Sequence, residues 1–314
     1  MRYTLRQLEY FVAAGETGSI TLASEQVNIS QPSVSTAISH LEKELGVQLF
    51  IRHHAQGLSL TSVGRSLLHE AKGILAQSEG LYTLASDANG RVRGNLSVGC
   101  MVTLAPMLAP ELSHSFTAAF PETQIRHVEG DHEKLFEGLR RAELDIAIVY
   151  DLQVAEDIAF LPLVKLPPYV LLGEAHPLAR HAAITLRELV QHPFILLDLP
   201  LSREYFLGLF MSEGLTPHIA TRSAHLEVVR TMVANGYGYT ILNARARSDY
   251  ALDGRRVVRV RLAGEHRPMV IGIATLKLSV QPKLISAFEE HCRAAISESY
   301  SPGMVAPELE SGKR

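Results

Sequence analysis

The stretch Ala23–His53 reads ASEQVNISQPSVSTAISHLEKELGVQLFIRH. Within it, Ser30-Gln31-Pro32 is a strong helix start. Serine caps, and proline occupies the first turn, where its missing N–H costs nothing. Val34, Ile38, Leu41 and Leu45 then form one apolar stripe, in steps of four, three and four. Gly46 closes the helix as a C-terminal cap. Upstream, Ser19 caps a short helix over Ile20–Val27 that presents Ile20, Ala23, Ser24 and Val27, and Asn28-Ile29 makes a tight connection. Further back, Leu5, Leu8, Phe11 and Val12 recur at helical spacing, and that pattern stops at Gly15. Downstream, Gln48–Leu60 reads as a hairpin. Its turn is Gln56-Gly57, and its inward residues are Leu49, Phe50, Leu58 and Leu60.

Ser62 to Asn89 is one long helical pattern without proline, roughly 40 Å long at about 1.5 Å per residue. Leu67, Ala71, Ile74, Ser78, Leu81 and Ala85 alternate steps of four and three, the spacing of a coiled-coil seam. A lone helix cannot bury such a seam, so a second copy of the chain is the expected partner. The plainer alternative is a helix lying on its own domain. Asn89–Gly94 reads as a hinge.

Beyond residue 94 short apolar runs alternate with helical stretches. The runs are 96–99, 124–130, 144–150, 169–173, 194–198 and 239–242. Helices are expected near 104–120, 133–141, 202–213 and 226–235. This alternation argues for α/β architecture with largely parallel sheets, and its length for two lobes of roughly 100 residues each. Residues 299–314 read as a disordered tail.

Composition agrees with a globular protein of two or three domains. The 314 residues are 46% hydrophobic and 20% charged, with 22 glycines and 15 prolines. That excludes wholesale disorder, a collagen repeat and a disulfide framework. Cys100 and Cys292 lack metal-ligand spacing and read as reduced thiols of a cytoplasmic protein. There is no signal pattern and no apolar run long enough to span a membrane. None of the G-x-S-x-G, H-E-x-x-H, G-x-x-x-x-G-K and G-x-G-x-x-G motifs occurs, so no enzyme, cofactor or metal is expected.

The net charge of −3 does not advertise nucleic acid, but the capped helix offers a short polar face that fits a major groove. Opposite its apolar stripe lie Pro32, Thr36, Ser39, His40 and Lys43, flanked by Ser33 and Ser35. Gln31 can pair with adenine, and the hydroxyls with bases or phosphates. A plain solvated face is the competing reading.

Ala23–His53, with Leu58–Gly64 (LSLTSVG), closely resembles the winged helix-turn-helix of LysR-type transcriptional regulators. The pieces S-Q-P-x-V-S, L-E-x-x-L-G-x-x-L-F-x-R and L-T-x-x-G stand at Ser30–Ser35, Leu41–Arg52 and Leu60–Gly64. Looser landmarks follow at Leu96–Gly99, Leu144–Ile148 and His176–Ala179, with Ala142 where the family carries glycine. The resemblance runs to about residue 298. It implies a DNA-binding domain over 1–61, a dimerisation helix and hinge over 62–91 (Leu67, Ala71, Ile74, Leu81), and an effector domain over 92–298. That domain would hold two Rossmann-like lobes of periplasmic-binding-protein type: lobe I near 92–164 and 268–298, lobe II near 165–267. Crossovers are expected near Leu163–Pro167 and Gly264–Met269, and a last helix near Pro282–Ala295. It further implies a dimer of dimers on promoter DNA, an effector in the inter-lobe cleft, and RNA polymerase as a further partner. Gln31, Pro32, Ser33, Ser35, Thr36, Ser39, His40, Arg52 and His54 become the expected DNA contacts. Two positions depart from the family, since many members are basic where Thr36 stands and carry a second wing arginine. Residues 1–65 hold five Lys or Arg and five Glu, so each module should bind DNA weakly and the oligomer supply avidity.

By the family's motif, Thr103 falls at the N-terminus of the first effector-domain helix, beside Met101 and Val102. Leu201, Ser202 and Arg203 open a second helix. Asp131, Tyr150 and His225 also lie at strand ends or helix starts, where open α/β sheets bind ligands. Two helix N-termini and two hydroxyls favour an anion, so a small organic carboxylate, aromatic or not, is expected between Thr103 and Ser202. The alternatives are plain helix caps, boundary residues and a solvated Arg203, and a neutral effector or none at all, with the cleft filled by its own side chains. The competing functions are a solute binder or enzyme on the same lobes, which needs neither the SQP helix nor the seam, and a redox sensor built on the two cysteines.

Overall fold

The computed structural model describes residues 3–53, 57–87, 92–277, 281–297 and 299–305. The chain divides into two compact units with the break near residue 90.

The first unit is built from α1 (Leu5–Thr17), α2 (Ile20–Gln26), α3 (Gln31–Leu45), β1 (Phe50–His53), β2 (Gly57–Leu60) and α4 (Ser62–Asp87). Ser19 and Ser30 cap α2 and α3, and Gly46, at φ 68°, ends α3 in the left-handed conformation only glycine adopts freely. Asn28, at φ 53°, makes the turn between the two helices. Leu8, Phe11, Val34, Ile38, Leu41, Leu49 and Phe50 form the core. The Glu42 carboxylate accepts from the N–H groups of Leu49 and Phe50 at 2.8 and 3.2 Å, pinning the hairpin to α3.

Two expectations change here. α1 does not stop at Gly15; it runs to Thr17 and is capped by Gly18 at φ 62°. A Cβ on Gly15 would come within 2.8 Å of a side-chain methyl of Leu68 on α4, so that methyl would have to shift. The expected seam is also divided. Ala71 is 3% exposed inside the unit's own core, and Leu67 packs half-buried against that core, whereas Ile74 is exposed. The first turns of α4 therefore lie on their own domain, because α1 offers them an apolar face. α4 continues past Leu81, whose side chain lies outside the described residues, as does the first half of the expected Asn89–Gly94 hinge.

The second unit holds two lobes. In the first, β3 (Gly94–Met101), β4 (Thr123–Gly130), β5 (Ile146–Tyr150), β6 (Ile158–Leu166) and β13 (Met269–Leu276) form one sheet in the order β4-β3-β5-β13-β6. It is covered by α5 (Ala105–Ala119), α6 (His132–Arg140) and α10 (Lys283–Ala295). The second lobe carries β7 (Tyr169–Gly173), β8 (Ala183–Ile184), β9 (Phe194–Leu197), β10 (Ile219–Ser223), β11 (Thr240–Leu242) and β12 (Val257–Leu262), with α7 (Leu186–Leu189), α8 (Ser202–Ser212) and α9 (Leu226–Ala234). Its sheets order as β11-β7-β12-β8 and β10-β9, joined by a bridge from Phe194 to Tyr239.

The sheets are mixed rather than largely parallel. β3 pairs in parallel with β4 and β5, but β13 is antiparallel to β5 and β6. The cause is the path of the chain. It leaves the first lobe after β6 and re-enters from the second along β13, so that strand arrives from the opposite direction. Ala142 sits at φ 53°, which explains why a glycine suits this position.

Residues 299–305 are not a disordered tail. The Tyr300 hydroxyl bonds the Glu111 carboxylate of α5, and a Cβ on Gly303 would collide with the backbone of Met107. Met304 is 2% exposed and bridges Ala246. An extended segment can bury apolar side chains when it finds a strand-like partner, here Arg245–Arg247. Residues 306–314 lie outside the described residues.

Candidate functional site

The polar face of α3 is presented as its sequence requires. Gln31, Pro32, Ser33, Thr36, Ser39 and His40 are exposed, Ser35 is half-buried, and Arg52 is exposed on β1. His54 lies outside the described residues. The Ser30 hydroxyl accepts the Ser33 N–H at 3.4 Å and lies 2.8 Å from its hydroxyl, so Ser33 is partly engaged in capping. Gln7 ties α1 to α3. Its side-chain oxygen accepts from the Thr4 N–H at 2.8 Å, which turns its amide nitrogen toward His40 Nδ1 at 3.1 Å. His40 Nδ1 then stands as the acceptor of that amide.

In the second unit a small cavity lies between the lobes. Thr103 and Tyr150 contribute from the first lobe, Ser202 and Asn243 from the second, with Leu197, Phe206, Leu226, Leu242, Ala244 and Met269 as walls. All four polar residues are at most 6% exposed. The free volume is ≈ 20 Å³, room for about one water.

Thr103 follows β3 in the turn before α5, yet its hydroxyl does not cap that helix. It lies 3.4 Å from the Tyr150 hydroxyl at the end of β5. Burial pushes the Tyr150 phenol well above its ordinary pKa, so it stays a neutral donor. Ser202 opens α8 and does not cap it either. Leu201 before it has φ 63° and ψ −41°, and the Ser202 N–H donates to the Pro200 carbonyl at 2.8 Å. That is the rarer, strained form of γ-turn, and it carries the start of α8 into the cavity wall.

The structure separates the remaining sequence candidates from this cavity. Met101 is fully buried in the core, and Val102 turns outward into a groove of ≈ 560 Å³ with Pro106, Ala109, Pro110 and His127. Asp131 accepts the Lys134 N–H at 3.0 Å at the start of α6. The neighbouring His132 is fully buried, 3.1 Å from the Tyr150 carbonyl, and burial lowers its pKa. Arg203 pairs with Asp198 at 2.8 Å and Glu204 at 3.1 Å. His225 is exposed, and the next residue, Leu226, reaches the cavity instead. Leu201 is half-buried and is not among the lining residues. Asn243 was missed, although it directly follows β11 and the strand-end rule covers it. Met269 begins the returning strand β13, whose course no local pattern reveals.

Among the described residues no helix is long and apolar enough to cross a membrane, and no cluster of three metal-ligating side chains occurs.

Comparison with known proteins bears on both units. Residues 5–65 match the bacterial regulatory helix-turn-helix protein family of lysR type, and residues 89–297 match the LysR substrate binding domain. The chain is 31% identical over 274 residues to the uncharacterized HTH-type transcriptional regulator YvbU of Bacillus subtilis, spanning 87% of this chain and 93% of that one. It is 30% identical over 243 residues to the hydrogen peroxide-inducible genes activator of Dickeya chrysanthemi, covering 77% and 79%. The crystal structure of HinK, a LysR family transcriptional regulator from Pseudomonas aeruginosa, superposes with a TM-score of 0.64 at 37% identity, covering 94% of this chain and 99% of HinK. With a helix-turn-helix unit and a two-lobed substrate-domain unit both matched along their length, the chain belongs to the LysR family of DNA-binding transcriptional regulators.

Proposed function

We propose that this regulator answers to a small organic carboxylate held in the inter-lobe cavity. The observation that carries the reading is the pair Thr103 and Ser202. Each stands at a helix start without capping its helix, and both line one cavity. Exposed N–H groups at helix starts favour an anion, and hydroxyl donors add direction. Among the described residues the lining holds no cation, so the helix ends and hydroxyls would carry the charge between them. Since the cavity admits about one water, a ligand enters by parting the lobes, and differential binding to the parted and closed forms drives the response.

In this reading residues 1–61 bind promoter DNA in the cytoplasm through Gln31, Pro32, Ser33, Ser35, Thr36, Ser39 and His40 of α3, with Arg52 and His54 on the wing. Residues 62–91 pair two copies and 92–298 form the regulatory domain. Two dimers combine, and RNA polymerase meets the assembly at the promoter. A gel shift with DNA from beside the protein's own gene, run with and without a panel of organic acids, tests it. Acid-dependent retardation is expected. Response only to neutral or cationic metabolites would overturn the carboxylate reading, and failure to bind any flanking DNA would remove α3 from the groove.

A further inference from the structure

Asn243 is 3% exposed at the end of β11 and lines the cavity. Its side-chain nitrogen donates to the Leu166 carbonyl at 2.8 Å and lies 3.2 Å from the Tyr205 hydroxyl. A carbonyl only accepts, so the first bond fixes which way the amide points. The Oδ1 atom is left without a hydrogen-bond partner among the described residues. The Tyr205 hydroxyl donates in turn to the Arg267 carbonyl at 2.6 Å.

Leu166 ends β6 and Arg267 leads into β13, so these two carbonyls mark the two crossovers between the lobes. One amide is therefore bonded to the first crossover directly and to the second through a single phenol, while its free acceptor belongs to a residue of the cavity wall. A buried acceptor of this kind calls for a donor. None of the walls supplies an N–H or O–H to it, and the three hydroxyls of the cavity belong to Thr103, Tyr150 and Ser202.

We propose that Asn243 reads the effector, and that the effector is a hydroxy- or amino-substituted carboxylic acid. Its carboxylate lies toward Thr103 and Ser202, and its O–H or N–H donates to Asn243 Oδ1. The claim rests on the carboxylate reading above and narrows it. Pairing at Oδ1 polarises the amide and strengthens the bonds that its nitrogen makes. The same contact that selects the ligand thus tightens both crossovers about which the lobes part.

Matched acids test this on the full-length chain by thermal shift and calorimetry. The probes are three triplets, each run beside its amino analogue: lactate, propionate and 2-methoxypropionate with alanine; malate, succinate and methoxysuccinate with aspartate; mandelate, phenylacetate and α-methoxyphenylacetate with phenylglycine. In the triplet that fits, the hydroxy or amino acid should bind at least tenfold tighter than the deoxy and methoxy forms, since the methyl ether keeps the oxygen but loses the donor. Asn243→Leu should erase that preference. If the variant does not fold, the comparison within the triplet still decides. Equal binding of hydroxy, amino, deoxy and methoxy forms, all weakened by Thr103→Val, would overturn the role of Asn243 and leave the carboxylate reading standing. No binding by any probe would overturn both.

Discussion

The hydroxyls of Thr103 and Tyr150 lie 3.4 Å apart on the first-lobe wall of the cavity, one from the turn after β3 and one from the end of β5. Neither is spent on a helix cap, and their mutual bond uses one of the two hydroxyl protons, so the other is available to a bound anion. Thr103→Val removes one donor at little change in volume. A charge-assisted hydrogen bond is worth about 1.5–3 kcal/mol, so affinity for a stabilising acid should fall at least tenfold. Isothermal calorimetry on the variant, with thermal unfolding as a check of fold, measures it. Unchanged affinity would place the carboxylate elsewhere.

On the first unit, Thr36 and Ser39 are exposed on α3 and make no contribution to its core. Replacing both by alanine should lower specific DNA affinity by about 1–3 kcal/mol per lost base contact. Stability should stay within about 0.5 kcal/mol, as for other exposed sites. A gel-shift titration paired with urea unfolding separates the two effects.

The divided seam of α4 gives two substitutions with opposite consequences. Ala71→Glu places a charge in the core of the first unit and should unfold that unit. Ile74→Glu, on an exposed position, should leave the protomer folded and shift it toward monomer. Sedimentation velocity with circular dichroism distinguishes them. A fully dimeric Ile74→Glu variant would move the self-association surface off this face.

Both cysteines are buried, and burial pushes Cys292 up to about 12 and Cys100 further still. Thiolate is the reactive form, so both should resist iodoacetamide at pH 8 until the protein unfolds, and peroxide should leave DNA binding unchanged. The sign of the pH effect follows from the raised folded values. The unfolded thiols ionise above about 8.5 while the folded ones do not. Their contribution to stability is therefore intact below that pH and declines above it. Fast labelling of the native chain at pH 8 would contradict this and revive a redox role.

Arg247 and the C-terminal segment supply the last prediction. Its N–H donates to the Gly303 carbonyl at 3.2 Å and its guanidinium to the Met304 carbonyl at 3.2 Å, while the Val305 N–H donates to the Arg245 carbonyl at 2.8 Å. The same segment bonds Glu111 and abuts Met107 on the first lobe. Met304→Ala should cost about 2–5 kcal/mol, as for other buried methionines, and deleting residues 299–314 at least as much. Denaturant unfolding of both variants checks this. Wild-type stability in the truncated chain would show that the segment does not hold the lobes.

The sequence alone determined whatever depends on local pattern. Ser19, Ser30 and Gly46 mark helix ends because caps act within one turn. Val34, Ile38 and Leu41 mark a buried face because a helix repeats every 3.6 residues. Thr103, Tyr150 and Ser202 are candidates because open α/β sheets gather ligand sites at strand ends, and the structure brings all three to one cavity. Only the tertiary structure decided what depends on which distant segments meet. β13 is antiparallel because the chain comes back from the second lobe. Ala71 is buried because α1 happens to cover it. Residues 299–305 are ordered because Arg245–Arg247 offers them a backbone partner. Asn243 Oδ1 has no partner among the described residues and its amide is oriented by Leu166, 77 residues away in the chain, and no local spacing records a contact of that range.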